Sequence, residues 1–293
     1  MCLQRLKAAT LSKPVRAAVL VFAAIGASPV AQALPQIASV PGGIALVRFV
    51  AGNDAAPKAS FLGKPVFVTR DQKGWFALVG LPLGLEPGTH ELEVQPAAQH
   101  EAGVSAEKFD VTAKAYPSQH VTITDARKVE PTAKDMRRIR TEQQRIDAAK
   151  NHWTDLRQID LDLQAPAQGR RSSRFGLRRF FNGQARNPHA GLDIAIPSGT
   201  QVVSAASGTV VDTGDYFFNG KTVFVDHGQG LITMYCHLSH IGVRTGDRLA
   251  LGQPLGLSGM TGRASGPHLH WGVIMNGALV NPELFIGVSD DAR

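Results

Sequence analysis

The chain has 293 residues, 43% hydrophobic and 19% charged, with a formal net charge of +7 and two cysteines. That length suits about two ordinary domains of roughly 100–200 residues each, and the composition is that of a globular chain rather than a disordered one. The charge is mild, and no basic stripe with interleaved aromatics is present, which argues against a nucleic-acid partner.

Residues 1–33 read as an export signal. Arg5, Lys7, Lys13 and Arg16 supply a basic stretch with no acid, the apolar run 17–27 follows, and Ala31-Gln32-Ala33 forms a small-x-small cleavage site. The run falls short of the ~20 residues a spanning helix needs, so no stable membrane span is expected after cleavage. Cys2 leaves with the leader. Cys236 then stands alone, and the fold cannot depend on an intrachain disulfide.

Residues 34–125 read as a small β-sandwich. Ile44–Val50, Pro65–Thr69, Trp75–Val79, His90–Val94 and Phe109–Thr112 are short β-rich runs separated by Gly and Pro signals, and His120–Ile123 is expected to close the set. Residues 126–173 form a helical linker. Pro131 marks a helix start, and Met136, Ile139, Ile146 and Trp153 trace a narrow apolar stripe, predicting a helix over 131–155 that bridges two domains. The stretch 164–173, with Pro166, Gly169 and an Arg pair, reads as the last linker. From 174 to 293 short strands return amid dense glycine, predicting an antiparallel β domain. The fold class is therefore mainly β.

The chemistry concentrates in that last region, where six of the ten histidines lie beyond residue 188. His268 and His270 stand two apart at the start of an apolar run, so a strand would send both imidazoles into one site. His189 and Asp193 stand four apart on a loop running into a strand. Three such ligands would leave a fourth position on a metal open for water, the mark of a catalytic rather than a structural site. Either His268 or His270 could complete the ligand set. The competing H-E-x-x-H signature is absent, because Val94 and Val104 stand where its second histidine should be. Cys236 adjoins His237, but neighbours on a strand face opposite sides, so Cys236 is expected to be a buried apolar group rather than a nucleophile.

In order along the chain stand Phe175-Gly176-Leu177-Arg178, His189-x-x-Leu192-Asp193, Val225-Asp226-His227-Gly228, Tyr235-x-His237-Leu238-Ser239 and Gly266-Pro267-His268-Leu269-His270. With these blocks the chain from about 174 to 285 resembles the LytM/lysostaphin-type zinc endopeptidases of peptidoglycan. The resemblance implies one Zn2+ per chain held by His189, Asp193 and His270, with His237 and His268 as the catalytic pair. His268 is expected to be the general base and His237 to steady the oxyanion or orient the water, although the two roles could be exchanged. His227 and His240 match no catalytic position.

The stretches Val40–Ile44 and Leu78–Leu83 resemble the β domain preceding this catalytic domain in some Gram-negative exported members. That likeness implies a periplasmic D,D-endopeptidase acting on peptidoglycan cross-link peptides, between D-alanine and meso-diaminopimelate. The alternative it carries is a non-catalytic LytM-type activator of cell-wall amidases. A further expectation is that the N-terminal domain and the 131–155 helix restrain the substrate groove.

Overall fold

The computed structural model describes residues 34–52, 55–97, 103–156 and 159–286, and the leader expected over 1–33 lies outside them. Seven strands open the fold: β1 (Ile44–Phe49), β2 (Lys58–Phe61), β3 (Lys64–Pro65), β4 (Phe67–Asp71), β5 (Gly74–Gly80), β6 (Gly88–Gln95) and β7 (Ser105–Val111). They form two antiparallel sheets, ordered β1-β5-β4 and β3-β2-β6-β7. Between the sheets lie Val47, Phe49, Phe61, Ala77, Val79, Leu92 and Val94, the inward set of each alternating strand.

The first sheet is buried on both faces. Ala77 and Val79 of β5 face the sandwich core, whereas Phe76 and Leu78 join a larger cluster with Leu192, Tyr235, Trp271 and Val273. The unbroken apolar run of β5 follows from that position, since a strand covered on both sides has no solvent face to make polar.

The next strand, β8 (Ser118–Val121), does not close the sandwich as its sequence led us to expect. It pairs in parallel with a strand 60 residues further on, Arg178 opposite Ser118, and His120 stacks on Phe180 with ring centres 4.8 Å apart. Helix α1 (Ala133–Lys150) follows, started by a capping box in which Thr132 and Asp135 each accept from the other's backbone N–H. It is not a bridge. Ile146 and Ala149 pack on Phe224, Ile232, Met234, Cys236 and Ile274, and Arg145 pairs with Asp212 at 2.5 Å, so the stripe covers one face of the following sheet.

That sheet contains β9 (Arg170–Ser173), β12 (Leu192–Ala195), β14 (Gly208–Tyr216), β15 (Gly220–Gly228), β16 (Leu231–Leu238), β18 (Arg248–Leu249), β20 (Leu269–Met275) and β21 (Ala278–Val280). Its order is β18-β14-β15-β16-β20-β12-β9, with β21 also paired to β20. The intervening β10 (Arg178–Phe181) and β11 (Gln184–Ala185) form a small sheet with β8, and β13 (Gln201–Val203), β17 (His240–Ile241) and β19 (Pro254–Leu257) form another. The one-turn helix α2 (Glu283–Ile286) ends the described chain. Residues 170–173, expected to be linker, are a strand instead. The polar run Arg-Arg-Ser-Ser carries no apolar alternation, but at a sheet edge it needs none.

Two hairpin turns of the large sheet grip the first sheet. Asn276 accepts from Gly80 N at 2.6 Å and donates to Gly80 O at 3.0 Å, both within the protein. Gln229 accepts from Val68 N at 3.0 Å and donates to Leu156 O. Among the described residues no helix is long and apolar enough to cross a membrane.

Candidate metal centre and active site

Strands β12 and β20 are antiparallel neighbours with Asp193 opposite His270, and the loop before β12 carries His189 back over the same spot. The result is a triangle of donor atoms. His189 Nε2 lies 3.0 Å from Asp193 Oδ1 and 3.0 Å from His270 Nδ1, and His270 Nδ1 lies 2.7 Å from the same carboxylate oxygen. All three residues are largely shielded from solvent, and they are a His–Asp–His group able to hold a metal ion.

The groups around the triangle fix how each ligand presents itself. His189 Nδ1 is 2.8 Å from the Arg174 carbonyl oxygen, which can only accept, so Nδ1 carries the proton and Nε2 presents a lone pair. Burial would raise the Asp193 carboxyl, but the His189 and His270 imidazoles beside it outweigh that and hold the group well below the usual carboxylate range. Its second oxygen accepts from Arg179 at 2.8 Å. Burial lowers His270 to about 4, partly opposed by its hydrogen bond to Asp193. Gly191 is what lets the His270 ring come close, since a Cβ there would stand 2.6 Å from His270 Cε1.

Two further imidazoles flank the triangle. The His237 and His268 ring centres are 4.8 Å apart, and His268 Nε2 lies 3.8 Å from Asp193 Oδ1. In each ring Nδ1 faces a carbonyl oxygen at 2.8 Å, that of Thr261 for His237 and that of Gly266 for His268. Each therefore donates from Nδ1 and keeps a lone pair on Nε2, the form in which an imidazole can take a proton. Burial, reinforced by His268 and His270, lowers His237 to about 3. His237, next to last in β16, has φ at +61°, a left-handed backbone that residues other than glycine rarely adopt.

The five residues singled out from the sequence thus converge. The others do not join them. Cys236 is buried with its thiol pushed up to about 12 by desolvation, and it faces α1. His227 is buried between the Ser207 carbonyl and the Thr233 hydroxyl, and His240 is exposed. Sequence reasoning missed Arg179, Thr261 and Gly191, whose types carry no signal without the contacts.

A cavity of about 280 Å3 opens beside the triangle, lined by Asp193, His237 and His268 on one side and by Gln119, Val121 and Ile123 on another. The segment carrying β8 is therefore a wall of the groove. On the opposite side, Gln143, Ile146 and Lys150 of α1 help line a second cavity that reaches His189, His237 and His270.

Comparison with known proteins gives two family matches. Residues 187–282 match the model for peptidase family M23, and residues 38–114 match that for the peptidase family M23 N-terminal domain. A crystal structure from Pseudomonas aeruginosa described as an M23 peptidase is 42% identical, covering 85% of this chain and 95% of its own, with a TM-score of 0.71. The peptidoglycan DD-endopeptidase ShyA of Vibrio cholerae is 44% identical over 111 residues, 38% of this chain and 26% of that protein. The DD-carboxypeptidase/endopeptidase Mpg of Neisseria meningitidis is 38% identical over 111 residues, again 38% of this chain and 26% of that protein. The match thus spans about a quarter of the length of these two relatives.

Proposed function

Because the chain belongs to peptidase family M23, we propose that it is an exported zinc endopeptidase that hydrolyses peptide cross-links of peptidoglycan. The bond is the D,D-amide between D-alanine and meso-diaminopimelate, in line with the DD-endopeptidase names of its relatives. The chain divides accordingly into a leader (1–33), an N-terminal β domain that ends with β7, and a catalytic domain on which β8, α1 and β9 are built, and it works in the periplasm. The observation that carries this reading is the convergence of His189, Asp193 and His270 beside two imidazoles that each keep a free Nε2.

The donor set suits zinc. Two imidazole nitrogens and one carboxylate oxygen are its usual catalytic ligands, with bonds of about 2.0–2.2 Å. Nearest-atom separations of 2.7–3.0 Å stand close to the triangle such bonds require. Held there, zinc would supply Lewis acidity, polarising the scissile carbonyl and bringing the pKa of water down toward ~7. His268 takes the proton of the attacking water, because its Nε2 faces the ligand carboxylate and lies open to the groove. His237, held rigidly by Thr261 with its proton on Nδ1, orients the attacking water, whose O–H its free Nε2 accepts. Arg179 keeps Asp193 ionised, with its other oxygen turned toward His189 and His270. An activator of amidases would need none of these groups, so their joint presence favours the enzyme.

Digestion of purified cross-linked peptidoglycan, with and without a chelator, tests the proposal. Chelator-sensitive loss of muropeptide dimers with matching gain of monomers is expected. Intact dimers after incubation with metal-loaded protein would refute it. Asp193→Ala and His270→Ala should lose metal and turnover together, whereas His268→Ala should keep the metal and lose most turnover.

A further inference from the structure

The glycine-rich loop between Thr261 and His268 carries a cation that the site chemistry above does not use. Gly262 has φ at +76°, and a Cβ there would stand 2.3 Å from Gly220 N, so the loop lies tightly on the preceding turn. Arg263 N donates to Phe218 O at 2.8 Å, which pins the Arg263 backbone to that turn. Its guanidinium carbon then sits 4.2 Å from the ring centre of Phe218 and 4.8 Å from that of Phe181. Arg263 lines both cavities that flank the His–Asp–His triangle, beside His237 in each.

The guanidinium offers five N–H donors. Among the described residues its one side-chain hydrogen bond is a long one, 3.4 Å to the Lys128 carbonyl, and no carboxylate forms an ion pair with it. The nearby carboxylate, Asp193, is already taken by Arg179. Burial, with Arg179 and Arg186 adding like charge, lowers Arg263 to about 10. Withdrawing a cation from water without a counter-charge is costly, and the cost is offset when an anion arrives. Two aromatic rings hold the fork at a fixed angle, and a fixed fork suits a carboxylate, which it can grip through two parallel hydrogen bonds.

We propose that Arg263 is a specificity residue that binds the free carboxylate on the carbon bearing the leaving nitrogen of the scissile amide. This rests on the peptidoglycan reading, in which a D-alanyl–diaminopimelate link places such a carboxylate one carbon from the bond cut. A glycyl bridge presents no charge there, and Arg263 selects against it.

The test uses two purified cross-linked dimers that differ only in that carboxylate, left free in one and converted to a carboxamide in the other. Wild type should favour the free carboxylate by about 10- to 100-fold in kcat/KM, the range of a charge-assisted hydrogen-bonded pair. In Arg263→Gln that ratio should fall close to one, and Arg263→Lys should keep part of it. A wild type that cuts both dimers equally would overturn the inference. So would an Arg263→Gln variant that loses both activities in parallel while keeping the ratio, because that marks a packing role for the loop. If wild type cuts neither dimer, the peptidase reading fails instead. Calorimetric binding of the two intact dimers to wild type and Arg263→Gln then decides Arg263 by itself, equal affinities counting against it.

Discussion

Gly191→Ala isolates the contact that lets His270 reach the site. The glycine has an ordinary backbone conformation, so alanine brings no torsional penalty, only a methyl group. That methyl would stand 2.6 Å from His270 Cε1, 2.7 Å from His270 Nε2 and 2.7 Å from the Trp271 carbonyl oxygen. Carbon atoms in normal contact stand about 3.5–4.0 Å apart, so the His270 ring must retreat by close to an ångström. The Trp271 carbonyl belongs to β20 and cannot retreat with it. Overpacking of this kind costs about 1–3 kcal/mol, which for a chain of this size lowers Tm by roughly 2–10 °C. Site geometry tolerates only about 0.5 Å of displacement, so metal affinity should fall by about 10- to 100-fold, as when a ligand's supporting group is lost. Competition against a chromophoric chelator measures the affinity, and a thermal melt measures the stability. Gly84→Ala is the control, since nothing lies within 4 Å of a Cβ at that exposed turn. A Gly191→Ala protein with wild-type metal affinity and Tm would refute the steric argument.

Arg179→Gln removes the cation from the Asp193 carboxylate and leaves a buried charge less compensated. We expect metal affinity to drop by about 10-fold or more, read by the same competition, and unchanged affinity would deny Arg179 its positioning role. Thr132→Ala deletes half of the capping box of α1 and should cost about 0.5–2 kcal/mol, visible as a lower denaturation midpoint at constant m-value. An unchanged midpoint would show that α1 is held by its packed face alone. Cys236, buried with its thiol pushed up to about 12, should resist a thiol reagent at pH 8 in the native protein and react fully in denaturant. Rapid native labelling would contradict its place beneath α1.

Four residues of the candidate site were legible through short-range rules, whereas His237, and His270 rather than His268 as ligand, came from the resemblance to the LytM/lysostaphin-type endopeptidases. His268 and His270 share a strand face by the two-residue period, and His189 with Asp193 straddles a loop-to-strand junction. The strands around them were legible for the same reason. What failed was any reading that depended on partners distant in sequence. Residues 170–173 have no apolar alternation, and only the waiting edge of β12 makes them a strand. β8 looked like one more sandwich strand, but its partner lies 60 residues away and runs parallel. The stripe on α1 looked too thin for a core helix. It suffices because Phe224, Ile232, Met234, Cys236 and Ile274 form an apolar patch that a few side chains can cover. Arg179 and Arg263 were invisible for a related reason. An arginine's role is set by whether a carboxylate stands opposite it, and composition does not record that.

The amides of Asn276 and Gln229 bear on how such chains can be recombined. Each occupies the tip of a hairpin in the large sheet, with φ near +42° or +43°, and each reaches a backbone group of the first sheet. The contact at Gly80 is so close that a Cβ there would stand 2.7 Å from Met275 Cβ. The N-terminal sheets look like a portable module in the linear sequence, but their seat is cut to two particular turns. A chimera that imports another protein's N-terminal sheets while keeping these turns would bury amide groups with nothing opposite them. Exchange of that half therefore has to carry both hairpin tips with it, and the unit that can be transplanted is larger than the unit visible along the chain.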